Sequence, residues 1–176
     1  MLEDAMRELK GEKVKQEPEP IIELRVDAYL PEDYIGDNKQ KMEIYKRIAD
    51  LEELGEVGDI YDELLDRFGD LPDAAISLLA VAKLKLLAKK LAIYQLSQEE
   101  ENVLLKFSDN QFLACADFPK ISQKYRNNLS FIPGKNLVCS VNVRGLTFSA
   151  LLSLLEQILT DFLGNCNPDK EIEAID

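Results

Sequence analysis

From Ile22 to Ala28 the chain alternates, with Ile22, Leu24, Val26 and Ala28 interleaved by Glu23, Arg25 and Asp27. A period of two marks a half-buried strand, and Pro31 ends it. The period then changes. Met42, Tyr45, Ile48 and Ala49 recur at helical spacing behind Asp37, and Gln40 stands three residues after Asp37 in the position of a capping box. Gly55 and Gly58 break this pattern, and a second helix is expected over 57–68. A third is expected over 72–91. There Ile76, Leu79, Ala80, Lys83, Leu86 and Leu87 trace the period, and further leucines widen the apolar face. So apolar a helix belongs at the centre of a core.

Beyond Leu91 the pattern shifts to short strand-like runs at 93–96, 102–107 and 111–114, with polar turns at 97–101 and 108–110. Residues 117–127 read as a helix with Pro119 near its start. Strands are expected at 129–132 and 137–143, on either side of Pro133-Gly134. Thr147 caps a last helix to Leu163, with Phe148, Leu151, Leu152, Leu155, Ile158, Leu159 and Phe162 as its buried stripe and Gly164 as its stop. Helices come first and strands cluster later. The fold class is therefore α+β: a helical N-terminal half packed with a small, mostly antiparallel sheet and a long C-terminal helix. Residues 1–20 read as a short helix and a charged Gly/Pro linker, 21–163 as one domain, and 164–176 as a flexible acidic tail.

Composition removes several classes of chemistry. The 176 residues include no histidine, so Ser-His-Asp and Cys-His mechanisms are excluded. Cys115, Cys139 and Cys166 are odd in number and far apart, the pattern of reduced thiols and not of a zinc site or a disulfide framework. No phosphate-binding loop and no dinucleotide fingerprint is present. Glu99-Glu100-Glu101 falls in a turn, the reverse of the desolvated pocket that a catalytic carboxylate pair needs. No catalytic residue, cofactor or metal is expected. No apolar run approaches the ~20 residues of a membrane span, and the start of the chain has no signal-peptide pattern. The expected class is a cytoplasmic protein without direct membrane contact.

Charge is unevenly spread. The net charge is −12, and residues 32–70 alone hold 13 acidic and 5 basic side chains, a net of −8. Within the 57–68 helix, Asp59, Asp62, Glu63 and Asp66 fall opposite Ile60, Tyr61, Leu64, Leu65 and Phe68 at 100° per residue. Carboxylates at i,i+3 and i,i+4 spacing repel one another unless cations sit against them. The face is either solvated or an interface that a partner's arginines would complete. Both side chains of the Glu63 and Asp66 pair point away from the apolar face, so reversing them to lysine is expected to leave the fold intact. Arg67 is expected to be structural, its head on a nearby carboxylate or carbonyl. Lys83, Lys85, Lys89 and Lys90 form the one basic track on a helix. In an acidic chain without tryptophan they read as a solvated edge, with a nucleic-acid-binding accessory module as the alternative function.

Three stretches carry a resemblance. Ala28-Tyr29-Leu30-Pro31-Glu32-Asp33-Tyr34-Ile35, Tyr45-Lys46-Arg47-Ile48-Ala49 and Tyr61-Asp62-Glu63-Leu64-Leu65-Asp66-Arg67-Phe68-Gly69-Asp70-Leu71-Pro72 resemble, in order and spacing, the C-terminal domain of bacterial transcription-repair coupling factors. The resemblance spans roughly 21–163. It implies a regulatory domain downstream of an ATP-driven DNA translocase whose motor is absent from this chain, so that 1–20 would be the end of that motor and its linker. It also implies an autoinhibitory role. The domain would dock on the parent's UvrB-like module, mask the binding of UvrA and restrain the motor, with RNA polymerase engaged through the parent. By that resemblance Glu63 and Asp66 occupy the family's acidic positions, and Asp59 and Asp62 extend the same interface.

Overall fold

The computed structural model describes residues 19–108 and 118–165. The expected helix near the N-terminus, most of the linker, the 111–114 strand, Cys115, Cys166 and the acidic tail beyond Asn165 lie outside them. Along the described chain come β1 (Ile21–Glu23), α1 (Asn38–Ala49), α2 (Leu54–Phe68), α3 (Asp73–Lys90), β2 (Ile93–Glu99), β3 (Asn102–Phe107), α4 (Phe118–Lys124), β4 (Leu129–Ile132), β5 (Val138–Asn142) and α5 (Phe148–Asn165). The class is α+β.

The five strands form one sheet in the order β1-β2-β3-β5-β4. Three of the four pairings are antiparallel, and β1 runs parallel to β2. The alternation that marks β1 persists in burial as far as Ala28, yet the ladder stops at Glu23. Past it, the Arg25 N–H donates to the side chain of Gln98 (2.9 Å) in place of a β2 carbonyl. Strand β2 runs on to Glu99, through most of the expected turn, because Ser97 faces inward and the reversal is compressed into Glu100-Glu101. Glu100 takes the positive φ (53°) that so tight a turn requires. The β5 pairing continues beyond its ends through Phe107 N–H to Leu137 O and Val143 N–H to Glu101 O.

Two apolar clusters share α3. The larger lies between the sheet and α5 and takes Leu84, Leu87 and Ala88 from the C-terminal half of α3 and Leu91 from its C-cap. The smaller holds Leu30, Ile35, Ile44, Val57, Ile60 and Leu64, and takes Ala75, Leu79 and Leu86 from α3. A helix buried on opposite sides along its length has no single apolar stripe, which explains its dense leucine content. Ile76 departs from the expected stripe and is exposed, and Lys83 reaches Glu156 of α5 in an ion pair. In α5 the stripe is buried from Leu151 to Phe162, but Phe148 is not; the Thr147 hydroxyl accepts from Ala150 N–H at 3.2 Å. The helix also passes through Gly164 to Asn165.

Helices α1 and α2 differ from expectation in phase and length. Asp37 caps α1 by accepting from Lys39 and Gln40 N–H (2.8 and 3.3 Å), but the buried residue is Ile44, while Met42 and Ala49 face outward. Helix α2 begins at Leu54 and runs through both glycines. Its start is fixed by the Glu56 carboxylate, which accepts from Glu52 and Glu53 N–H (2.9 and 3.0 Å) and is held below the usual carboxylate range by those bonds. Gly69 ends it with φ 83°, as the sequence implies, and Pro72 stands just before the first turn of α3. Alanine at 69 would meet no neighbour but would be forced into the left-handed region. Gly69→Ala is therefore expected to destabilise the chain by about 1 kcal/mol, lowering the melting temperature by roughly 2–4 °C in a thermal scan.

Cys139, the second residue of β5, is fully buried, and burial pushes its thiol up to about 12. An inaccessible, protonated thiol is a poor nucleophile. Alkylation with iodoacetamide followed by mass spectrometry should leave Cys139 unmodified in the native chain and modify it fully in denaturant. No helix among the described residues is long and apolar enough to cross a membrane.

Candidate functional site

The three motif stretches converge around the smaller core. Leu30 and Ile35 enter it from the first, and the Leu30 N–H donates to the Tyr45 hydroxyl of the second at 2.7 Å. Tyr34 donates its hydroxyl toward Leu64 O (3.1 Å) and Gly69 O (3.0 Å) of the third, and its ring meets Phe68 at 5.8 Å. Burial and the nearby Asp70 raise the Tyr34 phenol, so it stays a neutral donor. The motifs therefore build one structural unit that fixes the orientation of α2.

What α2 presents outward is divided. Glu63 is half-buried and clamped: one oxygen accepts from Arg47 Nη1 of α1 (2.7 Å), the other from Arg67 Nη1 (2.8 Å). The Arg47 hydrogen bond first, then that of Arg67, holds its carboxyl below the usual range. Arg67 has the structural role expected of it, for its guanidinium also lies 5.0 Å over the Phe68 ring. Asp59, Asp62 and Asp66 are exposed and make no ion pair or hydrogen bond with the described residues. Tyr61 and Leu65, assigned to the apolar face by periodicity, are exposed as well. The core takes a narrower strip of α2, centred on Val57, Ile60 and Leu64. The outward face is thus mixed, three unpaired carboxylates beside an aromatic and a leucine.

Sequence reasoning missed Arg47. It stands in the second motif, sixteen residues from its partner, and the only available sign was an arginine inside a stretch otherwise explained by packing. Among the basic track, Lys83, Lys85 and Lys90 are paired with Glu156, Glu19 and Glu53, and Lys89 acts on Glu19. The acids that hold them leave little uncompensated positive charge for a phosphate backbone. Glu99, Glu100 and Glu101 are exposed, and Glu101 pairs with Arg144 at 3.4 Å. Among the described residues no group of three or more cysteine, aspartate or glutamate side chains could hold a metal ion.

The model of the TRCF domain family matches residues 24–118, a span that contains all three motifs. The chain belongs to the TRCF domain family. The transcription-repair-coupling factor of Bacillus subtilis (strain 168) is 32% identical over 152 residues, covering 82% of this chain and 13% of the relative. That of Helicobacter pylori (strain J99) is 38% identical over 111 residues, covering 63% of this chain and 11% of the relative. The TRCF chain thus spans a small part of the curated relatives it matches. In structure it is similar to a solved C-terminal domain of a transcription-repair coupling factor, with a TM-score of 0.77 at 21% identity, covering 88% of this chain and 98% of the other. At that identity the likeness establishes the fold.

Proposed function

We propose that this TRCF domain is an autoinhibitory protein-interaction domain of a transcription-repair coupling factor, and that the exposed face of α2 is its docking surface. The observation that carries the reading is the division of the acidic helix. Three carboxylates, Asp59, Asp62 and Asp66, have no partner among the described residues, while the fourth is clamped from within. Exposed like charges at helical spacing favour a cationic partner. Tyr61 and Leu65 beside them supply the apolar contact that a protein interface needs and a merely solvated face does not. In this reading the partner is the UvrB-like module of the parent. Docking covers the module's UvrA-binding surface and restrains the translocase. The process served is transcription-coupled DNA repair in the cytoplasm. The relatives' shared name and the family membership support it.

The test is Asp62→Lys with Asp66→Lys in the full-length parent. Glu63 stays in place, because it also ties α1 to α2. The variant should keep its melting temperature and bind UvrA roughly tenfold more tightly than the parent, as like charges now meet the module's cations. Unchanged UvrA affinity in a folded variant would refute the docking role of this face.

A further inference from the structure

We propose that a second surface, the groove between α3 and α5, accepts a cationic amphipathic helix from a protein partner. Three large apolar side chains converge there from separate parts of the chain: Tyr29 (51% exposed), Ile76 (45%) and Phe148 (56%). Two of them were expected in the core, for periodicity put Ile76 and Phe148 on buried stripes. Tyr29 is held at the edge by its backbone N–H, which donates to Ala74 O of α3 at 3.2 Å. The groove encloses about 690 Å³. Its charged lining is entirely acidic: Asp27, Asp73 and Glu156, with no lysine or arginine among the residues that form it.

These features select the occupant. An open trough between two helices suits a third helix whose ridge fills it. The apolar floor calls for residues at i, i+3, i+4 and i+7. The acidic rim calls for lysine or arginine on the flanks and repels an acidic segment. Glu156 is already shared with Lys83, so Asp27 and Asp73 are the two carboxylates left to meet a partner's cations. The surface shares no residue with the α2 face and does not depend on the docking reading above.

The experiment titrates the full 176-residue chain with a fluorescein-labelled amphipathic peptide of about 18 residues, leucine on one face and lysine on its flanks, at ~150 mM salt. A twin carries glutamate for lysine. Anisotropy gives affinity, and backbone amide shifts give the location. The lysine peptide should bind at least ~10-fold more tightly than its twin, with shifts along α3 and α5. Ile76→Gln with Phe148→Gln should lower its affinity about tenfold, and Asp27→Asn with Asp73→Asn roughly threefold. Asp62→Lys with Asp66→Lys should leave it within about twofold, which separates the groove from general attraction to an acidic protein. Failure of both peptides to bind, equal binding of the two, shifts centred on α2, or a concentration-dependent dimer that buries the groove against a second copy would each overturn the proposal.

Discussion

Phe162→Ala is expected to destabilise the chain by about 3–5 kcal/mol and to lower its melting temperature by roughly 10–15 °C. Phe162 is fully buried in the larger core, edge-on to Phe107 of β3 with ring centroids 6.1 Å apart at 77°. Truncation removes the transfer energy of the ring, the edge-to-face contact and the filling of a space walled by α3, α5 and the sheet. These walls are rigid elements, so the cavity would not collapse. Phe148→Ala makes the same chemical change on the same helix at an exposed position and should stay within ~0.5 kcal/mol of the parent. Urea titrations of both variants decide the matter. Equal losses would mean that α5 is not seated as described.

That contrast shows what periodicity can and cannot read. Phe148 and Phe162 lie on one face of one helix, and the sequence pattern places them together. Burial separates them because Phe162 sits in the larger core, whereas Phe148 lines the open groove beside Tyr29 and Ile76 and stays exposed. The same limit explains α2. Its heptad-like spacing locates Ile60, Leu64 and Phe68 correctly, but the width of the buried strip is set by how closely α1 and α3 approach, which no local pattern encodes. Glycine was legible at 69, where a helix end needs positive φ, and misleading at 55 and 58, where the Glu56 carboxylate secures the first turn despite them. The acidic face itself was visible from charge and phase alone. Its division was not, because the deciding residue, Arg47, comes from another helix. Recognition of the family rested on motifs that prove to be one packed unit, which is why they resemble the family in order and spacing together.

Glu63→Lys is expected to destabilise the isolated chain by roughly 1–3 kcal/mol, contrary to the harmless reversal that the helical phase suggests. Arg47 and Arg67 both point at this carboxylate, so a lysine here sets three cations together. The two ion pairs are partly solvated, and each alone contributes only about 0.2–1 kcal/mol. Like-charge repulsion at i,i+4 adds a similar amount, and the link from α1 to α2 is lost. Arg47→Glu combined with Glu63→Lys recreates one pair with reversed sign and should recover part of the loss, an outcome that a generic defect in α2 would not produce. The pH dependence gives a second check. The folded carboxyl of Glu63 titrates below its unfolded value because both arginines favour the charged form. Its stabilisation is therefore complete above the unfolded carboxylate value, near pH 4.3, and is lost as pH falls through the lower folded value. Glu63→Gln removes that one titration while keeping an acceptor for the arginines. Between pH 5 and pH 2 the parent should lose more stability than Glu63→Gln, measured by urea midpoints at each pH. If the two curves run parallel, the clamp contributes nothing to folding, and Glu63 belongs with Asp59, Asp62 and Asp66 as part of the face offered to a partner.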